Sequence, residues 1–156
     1  MFHLPLRWAA PIIIVAGLSS VLSPAHAGPD KPKMTVYKSP SCGCCVAWVG
    51  HLRDAGYEVE VRNQLTMTPI KKQLGVPSSM WACHTAVIDG RIVEGHVPAE
   101  AVDRLLADKT GIYGIAVPGM PMGSPGMGDD ENARFDVLTF KAQSDAESEV
   151  FQRFGK

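Results

Sequence analysis

The chain has 156 residues, of which 15 are lysine or arginine and 16 are aspartate or glutamate, so its formal net charge is −1. Nothing in this balance indicates a nucleic-acid-binding protein, which would typically carry an excess of basic residues. The length suits one domain of ordinary size with its own core.

The first 27 residues have the pattern of a secretory signal peptide. Arg7 precedes the apolar segment 8–22, and Ala-His-Ala at 25–27 supplies the small residues that signal peptidase recognises. The alternative is an uncleaved membrane anchor, but the apolar segment is shorter than the about 20 residues that a span needs. We therefore predict cleavage before Gly28, export to the periplasm, no stable membrane insertion afterwards, and a linker over residues 28–33.

The first predicted strand is directly followed by a cluster of cysteines. Residues 34–37 are apolar and β-branched, as in a strand, and Cys42, Cys44 and Cys45 come next. Apolar residues then recur at helical spacing, which places the cysteines in the first turn of a helix. The residues that define this helix are Ser41 as the cap, Val46, Trp48, Val49 and Leu52 on one face, and Gly56 at the end.

Two further elements follow the first helix. Residues 57–62 alternate between apolar and polar, which predicts a half-buried strand. Thr68 and Pro69 predict the cap and first position of a short helix, and Gly75 predicts its end.

A hairpin and a third helix complete the predicted domain. Asp89-Gly90 favours a type I′ turn between strands 85–88 and 91–93. Pro98 opens a helix whose inward residues are Ala101, Val102, Leu105 and Leu106. The predicted order is β-α-β-α-β-β-α, an α/β domain over residues 34–113 with a central mixed sheet flanked by helices.

The remaining chain has a different composition. Residues 114–128 are rich in glycine, proline and methionine, which predicts a long loop. Residues 129–156 form a C-terminal extension, in which 135–141 could be one more strand.

Soft-metal or redox chemistry is the leading hypothesis for the cysteines. Cys83 precedes a later strand, so a fold that joins the two strand ends would create a site with four sulfurs. Two structural disulfides are the plain alternative in an oxidising compartment. Adjacent cysteines such as Cys44 and Cys45 do not normally reach unstrained bridging geometry, which argues against a purely structural role.

Thiolates at a helix N-terminus are stabilised by unpaired backbone N–H groups, but neighbouring thiolates repel each other unless a cation lies among them. Soft sulfur ligands select Cu(I), with zinc and iron–sulfur clusters as competitors whose usual cysteine spacings are absent here. Successive helical residues point about 100° apart, so thiolates that bridge several copper ions fit better than one tetrahedral ion.

Three separated segments, 37–45, 81–85 and 114–121, resemble the small periplasmic metal-binding family that includes the CopG copper-resistance proteins. The resemblance extends over about residues 34–128. It implies a thioredoxin-like domain that binds copper through its cysteines and has a role in copper redox cycling. In that fold Cys83 takes the place of the usual cis-proline, since the nearest preceding proline is Pro77.

Further candidate ligands accompany the four cysteines. The His84 imidazole is a good copper ligand, although a lone histidine is as often a hydrogen-bonded strand residue. Met120, Met122 and Met127 could bind Cu(I) through their thioethers if the loop folds over the site, or could simply fill gaps on an apolar surface. His51 and His96 are interpreted as solvated or structural.

Two hypotheses from different classes remain. The first is a periplasmic protein that holds several Cu(I) ions and possesses a redox activity that interconverts Cu(I) and Cu(II), with periplasmic copper-handling proteins as partners. The second is a thiol–disulfide oxidoreductase in which Cys42 is the catalytic nucleophile and Cys45 or Cys44 the resolving thiol. The extra sulfurs Cys44 and Cys83 favour metal, because disulfide exchange does not need them.

Overall fold

The computed structural model describes residues 31–144 and 148–155; the predicted signal peptide (1–27) and the first residues of the linker (28–30) lie outside the described residues. The elements in chain order are β1 (Met34–Lys38), α1 (Gly43–Asp54), β2 (Val59–Asn63), α2 (Thr68–Gln73), β3 (Thr85–Ile88), β4 (Arg91–Gly95), α3 (Ala99–Ala107), β5 (Gly114–Val117), β6 (Phe135–Phe140) and β7 (Val150–Phe154). A short 3₁₀ turn, Ser78–Met80, precedes β3. None of the helices in the described ranges has the length and apolar character needed to cross a bilayer.

The described strands form one mixed sheet in the order β2-β1-β3-β4-β5-β6-β7. β1 is parallel to β2 and antiparallel to β3, and β4 is antiparallel to β3 and parallel to β5. The elements from β1 to α3 follow the predicted order β-α-β-α-β-β-α. The protein is therefore a mixed α/β domain with helices against a central sheet.

Both faces of the sheet are packed against other parts of the chain, as the alternation of residues along β4 shows. Val93 belongs to the larger core cluster together with α1 and α3, whereas its neighbour Ile92 belongs to a second cluster. That second cluster contains Val76, which precedes the 3₁₀ turn after α2, and Met80, which is the last residue of that turn. Thus α1 and α3 pack on one face, and the segment after α2 packs on the other.

The prediction of a loop over residues 114–128 is wrong for its first four residues. Gly114–Val117 form β5, a fully buried strand between β4 and β6. Gly114 allows this packing, since a Cβ atom there would clash with the Phe140 ring. β6 agrees closely with the predicted strand, while β7, which the sequence did not predict, forms the edge of the sheet.

The ends and faces of the helices differ from the predictions in three places. The N-cap of α1 is Cys42 rather than Ser41, and its sulfur accepts a hydrogen bond from the Cys45 N–H (3.4 Å). Val46 is 55% exposed because Cys45, one residue earlier, continues the buried stripe towards Trp48 and beyond. The cap of α2 is Met67, so Thr68 is its first helical residue.

Other local predictions are confirmed. Gly56 and Gly75 have positive φ angles directly after α1 and α2, as expected for glycines that end helices. Asp89 and Gly90 both have positive φ, as a type I′ turn requires. Of the four residues of α3 predicted to face inward, Ala101, Val102 and Leu105 are fully buried, and Leu106 is partly buried against the same core.

Candidate metal centre

The sheet brings the four cysteines to one place. β1 and β3 are antiparallel, and Tyr37 at the end of β1 pairs with Thr85 at the start of β3. Cys42, Cys44 and Cys45 lie just after β1, and Cys83 lies just before β3. The four sulfur atoms all lie within 4.8 Å of one another, so the structure makes the convergence that the metal hypothesis requires.

Within this four-sulfur group, two sulfurs form a disulfide and two are free thiols. Cys42 and Cys45 are joined by the disulfide, whereas Cys44 and Cys83 are free. The Cys44 sulfur lies 3.4 Å from that of Cys42 and 3.8 Å from that of Cys83. Cys45 is fully buried and the other three are partly exposed, so the group opens to solvent on one side.

The surroundings of Cys83 disfavour its thiolate. Burial raises the pKa of the Cys83 thiol to about 11, and a hydrogen bond and charge interaction with Cys44 add to the shift. The Lys71 ammonium opposes the shift, while the Glu94 carboxylate adds to it. A bound cation would remove this penalty, because it stabilises the deprotonated sulfur.

We expect slow alkylation of Cys83 in the disulfide form of the protein. A thiol reacts as its thiolate, and a pKa raised by two units lowers the thiolate fraction at pH 8 by about 100-fold relative to an ordinary thiol. The rate with iodoacetamide, measured by peptide mass spectrometry, should rise about tenfold per pH unit from pH 7 to 10 and level off only near pH 11. A plateau near pH 9 would contradict the raised pKa.

His84 lies next to Cys83 but does not belong to the four-sulfur group. Its ring is fully buried and packs against Trp48 (4.2 Å between centroids) and edge-on against His96 (4.9 Å). Both ring nitrogens lack a hydrogen-bond partner among the described residues. Burial lowers the pKa of His84 well below its usual range, and His96 and Lys71 contribute, so the ring is neutral. Its role as a ligand stays a prediction.

The loop that carries the methionines packs directly on α1. Gly126 approaches so closely that a Cβ there would lie 2.6 Å from the Cys44 carbonyl oxygen and 2.9 Å from the Trp48 nitrogen. The Pro125 carbonyl accepts a hydrogen bond from Nδ1 of His96 (2.8 Å), since a carbonyl cannot donate.

These contacts place the loop on the helix that bears three of the cysteines. The side chains of Met120 and Met122 are 41% and 57% exposed, and Met127 is partly buried. Binding of metal by the three thioethers stays a prediction.

A buried ion pair that the sequence did not predict lies beside the four-sulfur group. Nζ of Lys71 lies 2.5 Å from Oε1 of Glu94, and both side chains are almost fully buried. Lysine and glutamate are usually exposed, and neither a periodicity nor a motif in the sequence marks Lys71 or Glu94 as buried. His96, interpreted as solvated or structural, is also fully buried and links His84 to the loop.

Comparison with known proteins gives related solved structures. A family model described as protein of unknown function DUF411 matches residues 80–127. The chain is similar to two solved structures described as copper resistance protein copG, form 1 and form 2, at 37% and 38% identity. The matches cover 81% and 80% of this chain and 99% and 98% of those chains, each with a TM-score of 0.72. No curated protein matches the chain.

Proposed function

The chain belongs to the CopG-like copper resistance family, and from this premise we propose that it is a copper-binding protein that holds Cu(I) on the thiolates of its four-sulfur group. The observation that carries the proposal is the convergence of Cys42, Cys44 and Cys45 with Cys83, which comes from a different element. A copper resistance function would use such a site to take up the ion as cargo.

The donor set suits a soft ion. Thiolates select Cu(I) over hard cations, and the candidate ligands that the described residues bring together here are all cysteine sulfurs. Sulfurs that share one tetrahedral metal at about 2.3 Å lie about 3.8 Å apart. The Cys44–Cys83 distance of 3.8 Å matches the spacing of two sulfurs that bind one metal ion.

Copper uptake by all four sulfurs requires reduction of the Cys42–Cys45 disulfide. The reduced group would carry up to four negative charges, and one Cu(I) would neutralise only one of them. Several Cu(I) ions bridged by thiolates balance the charge better and suit the divergence of Cys44 and Cys45 on the first turn of α1. We therefore propose a multinuclear centre.

The disulfide also provides a balanced redox step. Two Cu(II) ions each accept one electron from the Cys42 and Cys45 thiols, an S–S bond forms, and two protons leave. The reverse step would oxidise two Cu(I) ions, break the S–S bond, take up two protons and restore the two thiols. Because both sulfurs lie at the start of α1 at bonding distance, this pair is proposed as the redox-active part of the group.

The test is anaerobic titration of the reduced protein with Cu(I) against a chromophoric chelator. We expect more than one tightly held copper per chain and loss of all four reactive thiols. In a second arm, Cu(II) added to the reduced protein should yield two Cu(I) per Cys42–Cys45 disulfide formed, measured by chelator absorbance and mass spectrometry. No copper uptake would refute the proposal.

The proposal includes a thioredoxin-like domain and a periplasmic location. The sheet order β2-β1-β3-β4 and the position of Cys42 and Cys45 at the start of α1 support the first. The signal-peptide pattern of residues 1–27 supports the second. Fractionation of cells that express the full chain should recover a mature protein beginning at Gly28; an unprocessed cytoplasmic chain would contradict export.

Thiol–disulfide exchange is the second candidate, favoured by the Cys42–Cys45 disulfide itself. Cys42 is partly exposed while Cys45 is fully buried, so Cys42 would be the attacking thiol and Cys45 the resolving one. Rapid reduction of a disulfide substrate that disappears in Cys42→Ser, together with absent copper uptake, would favour exchange over copper binding.

A further inference from the structure

The segment that carries Cys83 has no regular secondary structure of its own. It runs from Trp81 to His84, between the 3₁₀ turn and β3. Loops of this kind do not hold a side chain in place unless other residues fix their backbone. The other three sulfurs have the rigid start of α1 as their support, so Cys83 depends on contacts from elsewhere.

A buried carboxylate fixes the residue before Cys83. Oε1 of Glu94 accepts the Ala82 backbone N–H (2.7 Å) and the Lys71 ammonium (2.5 Å). Thr85 completes the network, since its hydroxyl donates to Oε2 of Glu94 (2.6 Å) and receives a hydrogen bond from Lys71 (3.0 Å). Both ends of the 82–85 segment are therefore tied to one carboxylate.

The two residues after Glu94 fix the remaining backbone around Cys83. The Gly95 N–H donates to the His84 carbonyl (3.0 Å), and a Cβ at Gly95 would lie 2.6 Å from the Ala82 side chain. The His96 ring packs edge-on against His84. Residues 94, 95 and 96 thus contact both neighbours of Cys83.

Energetics argue that this ion pair has a task besides stability. A buried ion pair gains little net free energy over apolar side chains of similar size, because both charges must be desolvated. Burial raises the pKa of the Glu94 carboxyl, which shows the cost of that desolvation, although Lys71 opposes the shift. What apolar side chains could not supply is an acceptor for the Ala82 N–H.

We propose that Glu94, held by Lys71, is a positioning residue that places the Cys83 sulfur against Cys44. This role of Glu94 rests on the proposed copper-binding function. If the Cys83 sulfur is already in position, less conformational entropy is lost when the ion binds. The acceptor oxygen at position 94, rather than the charge, carries this effect.

The experiment measures the Cys44–Cys83 geometry without copper. In the disulfide form these are the two free thiols, and phenylarsine oxide condenses with a close pair of thiols to give two As–S bonds and one water. The double variant K71M/E94M removes both charges and the acceptor, whereas K71M/E94Q removes both charges but keeps a carbonyl oxygen for the Ala82 N–H. Cys83→Ser gives the signal in the absence of bridging. G95A adds a Cβ that would meet both the Ala82 side chain (2.6 Å) and the Val117 carbonyl oxygen (2.7 Å).

The wild-type protein should bind one arsenical per chain, with the bound fraction measured by mass spectrometry over a series of arsenical concentrations and without an added thiol, which would reduce the Cys42–Cys45 disulfide. Loss of a residue that supports a metal ligand typically lowers the affinity for the metal by about 10–100-fold. We therefore expect K71M/E94M and G95A to weaken arsenical bridging by at least about tenfold. K71M/E94Q should stay within about threefold of the wild type. Circular dichroism and urea unfolding confirm that the compared chains are folded; Tyr57→Phe, which removes a hydrogen bond to Asp103 outside this network, controls for loss of stability alone.

Equal bridging in the wild type and K71M/E94M would overturn the proposal, and so would loss of bridging in K71M/E94Q, in which the acceptor is retained. The arsenical and copper measurements are independent. A wild-type chain that bridges the arsenical but takes up no copper would refute the proposed function while the positioning role of Glu94 stands.

Discussion

Cys83→Ser is expected to lower the Cu(I) affinity of the reduced protein by at least about 100-fold. Loss of a residue that only supports a ligand costs about 10–100-fold, so loss of a ligand should reach the upper end of that range or exceed it. The other three sulfurs lie on one helical turn, and Cys83 is the donor that comes from the β3 side. Competition with a Cu(I) chelator under anaerobic conditions measures the change, with the number of ions per chain falling as well.

Ser41→Ala is the matched control for this substitution. Ser41 is exposed, directly precedes Cys42 and carries no sulfur. Its variant should bind copper as the wild type does, which would show that disturbance near the site is not enough to lower affinity. Should Cys83→Ser retain wild-type affinity and stoichiometry, Cys42, Cys44 and Cys45 would be sufficient, and the convergence of the fourth sulfur would have no role in binding.

The sequence revealed the parts of the site that depend on local chemistry. Three cysteines between a strand and a helix indicated a metal or redox centre because adjacent sulfurs serve poorly as structural disulfides. The approach of Cys83 depends on the antiparallel pairing of β1 with β3, which the element order made reasonable. The sequence is compatible with several disulfide pairings of the four cysteines. The three-dimensional structure selects the Cys42–Cys45 disulfide.

Features that depend on long-range contacts were not accessible from the sequence. Lys71 and Glu94 are 23 positions apart, and their burial arises because α2 and β4 meet beside the Cys83 segment. The glycine of β5 and the prolines that follow it indicate a loop more strongly than its short apolar run indicates a strand. Its strand conformation comes from pairing with β4 and β6 on both sides, a tertiary effect that local propensity does not contain.

Gly126→Ala is expected to destabilise the protein by about 2–4 kcal/mol. The added methyl group strains the backbone and pushes the methionine-bearing loop away from α1. The φ angle of Gly126 is +85°, a left-handed conformation that side chains disfavour. The added Cβ would also meet two backbone atoms of α1, the Cys44 oxygen at 2.6 Å and the Trp48 nitrogen at 2.9 Å. Backbone atoms of a helix cannot rotate away as a flexible side chain could. Urea unfolding of the disulfide form gives the free energy change.

Gly50→Ala, in the helix that Gly126 contacts, is expected to increase stability rather than lower it. Gly50 lies inside α1, and a Cβ added there would have no neighbouring atom within 4 Å, so alanine should stabilise the helix by about 0.5–1 kcal/mol. The two substitutions add the same methyl group, and only the surroundings differ. A Gly126→Ala protein as stable as the wild type would mean that the loop leaves α1 at little cost. In that case, the prediction that the methionines of this loop bind copper would lose the support of the loop's contact with α1.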